Sequence, residues 1–302
     1  MPKTLIIIAG PTGIGKTAVG IALAKHFKTE IISADSRQLF KELSIGTAVP
    51  SANELTEVRH YFIHSHSVKD NYNASKFENE VLELLNKLFQ KLNQVLMVGG
   101  SMLYINAICK GIDTMPDVDQ EIRLTLKEQL KSEGIESLRL QLKNLDPDYY
   151  FNVDLKNPAR IIHALEICMM TGKPYSYFRS NPQKERQFRI LKIGLNCDRD
   201  KLHQRINLRV DKMVKDGLEN EARKVYELKY LNALNTVGYR EWFSFFDGKI
   251  THEKAIELIK RNSRRYARKQ LTWFRKDPEM HWFEPHQISE IISFTESQIK
   301  KV

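Results

Sequence analysis

Eight residues near the N-terminus have the composition and spacing of a phosphate-binding loop. The apolar run Leu5 to Ile8 leads into Gly10-Pro11-Thr12-Gly13-Ile14-Gly15-Lys16-Thr17. Glycines in such a loop let backbone N–H groups face an anion, and a helix that follows adds the positive end of its dipole. Lys16 supplies a charge, and the Thr17 hydroxyl is a candidate ligand for Mg²⁺. We therefore predict that residues 10–17 bind phosphate groups.

An acidic residue is expected near this loop. Enzymes that transfer or hydrolyse the terminal phosphate of ATP usually hold Mg²⁺ through an acid at the end of a neighbouring strand. The predicted strand QVLMVGG ends in Gly99-Gly100-Ser101, without a carboxylate. The acid within reach is Asp35, which ends the segment EIISAD at the edge where ligands bind in such sheets. Three roles are open for Asp35: a metal ligand, a general base, or a turn residue that caps a helix. We favour a catalytic role.

The elements that must position these residues follow an α/β pattern. Short apolar, β-branched runs predict strands over residues 4–9, 30–35, 60–68, 94–100 and 188–195. Helical periodicity separates them over residues 15–27 and 74–93, and returns in long stretches over 199–230 and 251–276. Strands that alternate with helices at these lengths indicate a parallel sheet.

The central region interrupts that pattern. Residues 114–183 show helical periodicity without a strand candidate, and Asp117 or Asp119 is available as the first helix cap. We therefore predict an all-helical domain over 114–183, inserted into an α/β core formed by 1–113 and 184–302.

Charge concentrates in one C-terminal helix. The formal net charge is +10 and the pI is about 9.3. The segment KRNSRRYARKQLTWFRK covers residues 260–276. On a helix, its spacing would place five arginines on one stripe: Arg261, Arg264, Arg265, Arg268 and Arg275. Aromatic side chains interleave with this stripe. The alternative is a solvated helix face, but a stripe beside aromatics in so basic a chain favours RNA or another polyphosphate.

Composition excludes several classes of protein. No apolar run approaches the roughly 18 residues of a membrane span, and a secretory signal is not expected at the N-terminus. The three cysteines, Cys109, Cys168 and Cys197, show no metal-binding spacing and are interpreted as reduced, buried thiols. We expect a cytoplasmic, monomeric protein with no membrane partner.

Six segments, in order, resemble one family. They are GPTGIGKT, SADSRQLFKELSIGTAVP, VGGSMLY, NPARIIHALEI, VGYRE and RRYARKQLTWFR, and together they span almost the whole chain. The chain thus resembles the bacterial tRNA dimethylallyltransferases, also called tRNA isopentenyltransferases. The resemblance implies a P-loop NTPase-like core, related to nucleotide kinases, with a helical insert that grips the anticodon stem.

The resemblance also implies a chemistry for the phosphate loop. Members of the family transfer a dimethylallyl group from dimethylallyl diphosphate to N6 of an adenosine next to the anticodon of tRNA. The bound phosphate is then a leaving group, held by residues 10–17 with Mg²⁺ at Thr17. By its match to the family pattern, Asp35 takes the proton of the amine, and Thr12 lies near the bridging oxygen of the diphosphate. An arginine also contacts the diphosphate; Arg205 and Arg209 are the candidates, and we favour Arg205.

The RNA-binding residues are likewise implied by matching positions. Around the target base they are Asp35, Ser36, Arg37 and Gln38. Elsewhere they are Ser101, Arg123, Ala159, Arg160, Ile161, Ile162, His163, Arg264, Arg265 and Arg268. Because the base must reach a pocket at the phosphate loop, we expect it to leave its stack.

One segment departs from the family pattern. An aspartate is common in the family where this chain has His64, within RHYFIHSHSV. On a strand, His64 and His66 would share one face, and a polar surface pair is the favoured interpretation over a metal pair. The role of the family aspartate is not transferred to this protein.

Three other functions compete with this interpretation. A small-molecule kinase would use the same loop, but the arginine stripe and the missing acid after LMVGG argue against it. An adenylate isopentenyltransferase shares the chemistry but has no need of an RNA-gripping helix. A non-catalytic RNA-binding protein would not require intact Lys16, Thr17 and Asp35.

Overall fold

The chain divides into two compact units. The computed structural model of the protein describes residues 2–301 except for residues 114, 117, 118 and 180–183. Met1–Cys109 and Glu185–Val302 form one unit, and Lys110–Lys184 form the other. The sequence-based boundaries of the insert, 114 and 183, lie within four residues of these limits.

The larger unit contains a six-stranded parallel sheet. Its strands are β1 (Thr4–Ala9), β2 (Ile31–Ala34), β3 (His60–Tyr61), β4 (Gln94–Gly99), β5 (Arg189–Leu195) and β6 (Met280–Phe283), in the order β3-β2-β4-β1-β5-β6. The central strand β1 pairs with β4 and β5 over its full length, Thr4 opposite Gln94 and Arg189. Residues Leu5 to Ile8 are fully buried, as expected for a strand covered on both faces.

Helices flank this sheet. Those of the larger unit are α1 (Lys16–Phe27), α2 (Ala52–Glu57), α3 (Ala74–Leu88), α4 (Met102–Lys110), α9 (Arg199–Lys215), α10 (Leu218–Lys224), α11 (Tyr239–Phe246), α12 (His252–Phe274) and α13 (Ile288–Lys300). Val19 and Leu23 of α1 and Ile291 of α13 share one apolar core with the strands. Burial of this kind supplies most of the stability of such a sheet. Among the described residues, no helix is long and apolar enough to cross a membrane.

The smaller unit is helical throughout its described part. It contains α5 (Gln120–Glu133), α6 (Ile135–Leu145), α7 (Pro147–Asn152), α8 (Pro158–Thr171) and a 3₁₀ turn at Tyr175–Phe178. Leu138, Leu142, Ile161 and Leu165 form its core. Asp119 caps α5 by accepting a hydrogen bond from the Glu121 N–H, whereas Asp117 lies outside the described residues.

Two predicted elements need correction. The strand predicted over 60–68 ends at Tyr61, because Phe62 and His64 adopt positive φ angles of 60° and 50° that a strand does not accommodate. His64 and His66 therefore do not share a strand face. The helix predicted over 199–230 breaks at Gly217, whose φ of 100° is left-handed. Glycine tolerates this conformation without a steric penalty.

The cysteine prediction is only partly correct. All three thiols are free, but Cys168 alone is buried, and Cys109 and Cys197 are partly exposed. Among the described residues, no group of three potential metal-binding side chains occurs.

A buried carboxylate organises the helical unit, and its removal is a test of that unit's stability. Asp146 is fully buried and accepts hydrogen bonds from the Tyr149 N–H (2.9 Å), the Ser176 N–H (2.6 Å) and the Ser176 hydroxyl (2.8 Å). Asp146→Ala leaves these donors unpaired, so we expect a loss of about 3 kcal/mol of local stability. Asp119→Ala, which removes an exposed cap, should cost about 1 kcal/mol. Hydrogen exchange of amides 147–178 measures the loss in Asp146→Ala, and exchange of amides 121–133 measures the loss in Asp119→Ala. Equal losses would contradict the assignment.

Candidate active site

The phosphate-binding loop joins β1 to α1 at the carboxyl edge of the sheet. Gly15 caps the helix with a left-handed φ of 104°, and a Cβ atom there would lie 3.0 Å from Arg205 Nη2. The left-handed backbone angle therefore favours glycine at this position. Lys16 Nζ donates a hydrogen bond to the Pro11 carbonyl at 2.8 Å, which holds the ammonium group over the loop.

A buried glutamine fixes the same loop from the far end of the chain. Gln270 of α12 is 2% exposed. Its Oε1 accepts a hydrogen bond from the Thr12 N–H (2.9 Å), and its Nε2 donates to the Gly100 carbonyl (2.8 Å). The amide thus joins the phosphate loop to the end of β4. Sequence reasoning missed this residue, because a single glutamine among arginines gives no sign of its burial.

Asp35 follows β2 and faces the loop. Its Oδ1 accepts hydrogen bonds from the Arg37 N–H (2.9 Å) and the Gln38 N–H (3.3 Å), so one oxygen closes a turn. Its Oδ2 receives no hydrogen bond from the described part of the chain. The turn interpretation and the general-base interpretation are therefore compatible, since each uses a different oxygen.

Gln38 supports Asp35 from behind. Its amide nitrogen donates to the carbonyl oxygens of Thr47 (3.2 Å) and Ala48 (3.0 Å), and its Oε1 accepts from the Ser33 hydroxyl (3.1 Å). Because both its amide oxygen and its amide nitrogen are hydrogen-bonded, the Gln38 side chain holds the Asp35 turn to the segment at Thr47 and Ala48. The prediction that it contacts RNA remains untested.

These elements enclose a cavity of about 290 Å³. Its polar lining includes Thr12, Asp35, Ser36, Arg37, Ser101, Arg209, Arg240 and Tyr266, and its apolar lining includes Ile206, Val210, Met213, Leu218 and Ile259. Among the residues that the structure describes, Asp35 is the single carboxylate in this lining. The cavity therefore combines one proton acceptor, several cations and an apolar wall.

Burial disfavours the charged forms of the cationic side chains at this site. Burial, together with the neighbouring Arg209, lowers the pKa of Lys16 to about 7, although Asp35 acts in the opposite direction. Burial also lowers the pKa of Arg209 and of Arg37. An anion bound here would relieve this repulsion.

The two candidate arginines occupy different places. Arg205 is exposed beside Gly15, whereas Arg209 lines the cavity and approaches the Thr47 carbonyl at 3.5 Å. The sequence-based preference for Arg205 is not tested by this geometry, but Arg209 is the one that shares the cavity with Asp35.

A second, basic groove shares part of the cavity's lining. It measures about 450 Å³ and is lined by Val237, Arg240, Asn262, Arg265, Tyr266, Arg268 and Lys269. Val237, Arg240 and Tyr266 line both depressions. The groove therefore leads towards Asp35, with the ring of Tyr266 at the junction.

The arginine stripe on α12 is divided in its contacts. Arg265 and Arg268 are exposed in the basic groove, whereas Arg264 donates to Asn207 Oδ1 at 2.5 Å. Arg261 has a buried Nε without a hydrogen-bond partner among the described residues. Arg265 and Arg268 of the stripe therefore face the groove, whereas Arg264 contacts the neighbouring helix α9.

Within the helical unit, only some of the predicted RNA-facing side chains are accessible. Arg123 forms a bidentate ion pair with the buried Glu166, at 2.6 and 2.8 Å, and His163 Nδ1 lies 3.5 Å from the same carboxylate. Ile161 and Ile162 are 0% and 7% exposed and pack into the core. The prediction that these two residues belong to an RNA-facing segment stays a prediction. Ala159 and Arg160 are exposed.

The low pKa of Lys16 generates a measurable prediction. A diphosphate ester next to Lys16 should raise its pKa again, because the charged form gains an attractive partner. At about pH 8, binding of dimethylallyl diphosphate without RNA should then take up about one proton. Calorimetry in buffers of different ionisation enthalpy measures this uptake.

Two matched variants test whether Lys16, and not another lysine, takes up the proton. Lys16→Met should abolish the proton uptake and weaken binding. Lys25→Met, on the same helix but exposed and paired with Glu57, should change neither. Uptake that persists in Lys16→Met would contradict the assignment.

Comparison with known proteins places this architecture in a family. Residues 38–277 match the family model described as IPP transferase. The chain is 54% identical over 298 residues to tRNA dimethylallyltransferase 1 of Bacteroides fragilis, covering 99% of both chains. It is 55% identical over 288 residues to tRNA dimethylallyltransferase 2 of Azobacteroides pseudotrichonymphae, covering 95% of this chain and 94% of the relative.

A solved structure shares the fold as well. The full-length tRNA isopentenylpyrophosphate transferase of Bacillus halodurans superposes with a TM-score of 0.72 at 34% identity, covering 99% of this chain and 97% of the other. The resemblance drawn from the six segments is confirmed. The chain belongs to the IPP transferase family.

Proposed function

We propose that this protein transfers a dimethylallyl group from dimethylallyl diphosphate to N6 of an adenosine next to the anticodon of tRNA. One observation carries the proposal: a single cavity holds Asp35 beside the phosphate loop and shares lining with a groove of four cationic side chains. A donor diphosphate fits the loop, and a base presented on an RNA backbone fits the groove.

The leaving group is stabilised by the phosphate loop. As the bond between C1 of the donor and the bridging oxygen breaks, negative charge collects on the diphosphate. Lys16 and the N–H groups at the start of α1 face that charge, and Arg209 adds a second cation. Donors fixed before the reaction stabilise developing charge without reorganisation.

The nucleophile is a weakly basic amine, so it requires a proton acceptor. N6 of the adenosine forms the new bond to C1, and one N6 proton moves to Asp35. The Oδ2 atom is the acceptor, because Oδ1 is held by the Arg37 and Gln38 N–H groups. Neutral alkylated adenine and diphosphate are the products.

Magnesium fits the residues present. The described residues offer no cluster of acidic ligands, but Thr17 places a hydroxyl at the first turn of α1, beside Lys16. Mg²⁺ commonly keeps most of its waters and binds through few protein oxygens plus phosphate oxygens. When bound, it would neutralise charge on the leaving diphosphate. We propose Thr17 as its protein ligand.

RNA recognition is assigned to two basic surfaces. Arg265 and Arg268 in the groove bind phosphates near the target loop, and Arg160 of the helical unit binds the anticodon stem. Ser36, Arg37 and Ser101 line the cavity and contact the extruded base. We propose that the protein acts as a monomer, and a tRNA substrate supports a cytoplasmic location.

A kinase activity is disfavoured by the end of β4. That strand ends at Gly99 and is followed by Gly100 and Ser101, without a carboxylate to hold Mg²⁺. A free-nucleotide acceptor is disfavoured by the basic groove, because AMP does not need cations that extend beyond one phosphate.

Substitution of Asp35 tests the reaction. Asp35→Asn keeps the turn but removes the proton acceptor, so label transfer from dimethylallyl diphosphate to an anticodon stem-loop should slow by about two to four orders of magnitude. Affinity for the RNA should change little, because phosphate contacts supply most of it. Asp70→Asn, which alters a carboxylate that caps an exposed turn at the Ser67 N–H, is the control.

The same assay distinguishes the alternatives. Label transfer to AMP at the rate seen with RNA would indicate an adenylate prenyltransferase. A phosphorylated acceptor formed from ATP would indicate a kinase. RNA binding without transfer by the unsubstituted protein would indicate a binding protein.

The basic groove predicts a change in salt dependence. Arg265→Gln with Arg268→Gln should weaken binding of the stem-loop and reduce the log–log salt slope by about two units, nearly one for each lost phosphate contact. Arg264→Gln should leave the slope unchanged, because its guanidinium already bonds Asn207.

A charge-matched control removes the effect of net charge. Lys87→Gln with Lys91→Gln changes two cations just before β4, at the opposite edge of the sheet. Its slope should equal that of the unsubstituted protein. Equal slopes for all three variants would move the RNA site away from the groove.

A further inference from the structure

Glu221, a residue outside the cavity lining, gathers four hydrogen bonds on one carboxylate. It lies on α10, and its Oε2 accepts from the N–H groups of Ser44 (2.9 Å) and Ile45 (2.8 Å). Its Oε1 accepts from the Gly46 N–H (2.9 Å) and the Tyr239 hydroxyl (2.6 Å). Hydrogen bonds to a carboxylate are stronger than neutral ones, so this is the main anchor of the segment 44–48.

The anchored segment cannot hold its shape by regular secondary structure. Ala48 has a left-handed φ of 47°, which a residue with a Cβ atom adopts only under constraint. Gly46 lies so close to Tyr239 that a Cβ atom would be 2.6 Å from the phenol oxygen. Three successive N–H groups converge on Glu221 instead of on other backbone atoms of a helix or sheet.

The carbonyl groups of this segment, in turn, support the reacting groups. The Thr47 carbonyl accepts from Gln38 Nε2 (3.2 Å) and lies 3.5 Å from Arg209 Nη2. The Ala48 carbonyl also accepts from Gln38 Nε2 (3.0 Å). Since the Gln38 N–H bonds Asp35 Oδ1, the segment 44–48 connects Glu221 to both the proton acceptor and a cavity cation.

His64 closes this arrangement from the other side. Its N–H donates to the Gln38 carbonyl at 3.0 Å, and its Nε2 lies 3.1 Å from the Ser44 hydroxyl. His64, the histidine that departs from the family pattern, therefore contacts both Ser44 and Gln38.

We propose that Glu221 is a positioning residue for the transfer reaction, acting through the segment 44–48 on Gln38 and, through Gln38, on Asp35. The inference rests on the proposed function for its kinetic consequence. Its structural part, the coupling between Glu221 and the turn at Asp35, is independent of the reaction.

A double-mutant cycle tests the kinetic part. In Glu221→Gln the new amide cannot accept all four hydrogen bonds, so kcat should fall about 10- to 100-fold, as for an ångström-scale misplacement. The KM for the stem-loop should stay within about threefold. In an Asp35→Asn background, measured by single turnover, the same substitution should cost less than about threefold, because the group that it positions no longer accepts a proton.

A neighbour on α10 is the matched control. Glu219 contacts Arg223 and His252 at the surface, and Glu219→Gln should leave kcat unchanged. Tyr239→Phe, which removes one of the four donors, should reduce kcat less than Glu221→Gln does. Equal losses from Glu221→Gln with and without Asp35 would overturn the proposal in favour of a general role in folding.

Hydrogen exchange tests the structural part without activity. In Glu221→Gln, and not in Glu219→Gln, amides 44–48 and also amides 37 and 38 should exchange faster. Unchanged exchange at 37 and 38 would overturn the coupling even if kcat fell. If the unsubstituted protein transfers no label to RNA, the proposed function fails, while exchange still decides whether Glu221 controls the turn at Asp35.

Discussion

The hydrogen bonds of Gln270 are the constraint on which the arrangement of the site depends. One buried amide holds the Thr12 N–H of the phosphate loop and the Gly100 carbonyl after β4, and it belongs to the helix that carries the arginine stripe. A buried amide that loses its partners is costly, so the position of α12 is coupled to that of the loop. The surface assigned to RNA and the loop assigned to the donor are thereby fixed relative to each other within one unit.

The cations around the cavity favour the binding of an anion. Lys16, Arg37 and Arg209 each have a pKa lowered first by burial, and Asp35 is the only carboxylate among the described lining residues. Buried like charges repel one another unless a counter-charge is present. A diphosphate supplies that counter-charge at the loop and leaves with it. The site is thus more favourable for the charge-separated stage of the reaction than for neutral ligands.

The sequence was sufficient for elements that repeat a local pattern. The strand at 4–9 and the helix at 16–27 follow from an apolar run and a glycine-rich loop, and both are observed within a residue of the prediction. It was insufficient where the backbone departs from a pattern, as at Phe62 and His64, whose φ angles end a strand that the apolar alternation extends. Nor does any local pattern show that the side chains of Ile161 and Ile162 pack into the core of the helical unit.

Residues that act through distant partners were the hardest to predict, and their distribution has a functional consequence. Gln270 lies 258 positions from Thr12, and Glu221 lies 175 to 177 positions from the N–H groups that it holds. Gln270 of α12 holds the phosphate loop between β1 and α1, and a segment anchored by Glu221 of α10 holds the turn that carries Asp35. Loop closure over such separations is entropically costly and is gained only when the whole unit folds. Phosphate binding and proton transfer therefore both depend on contacts made from the C-terminal half of the chain.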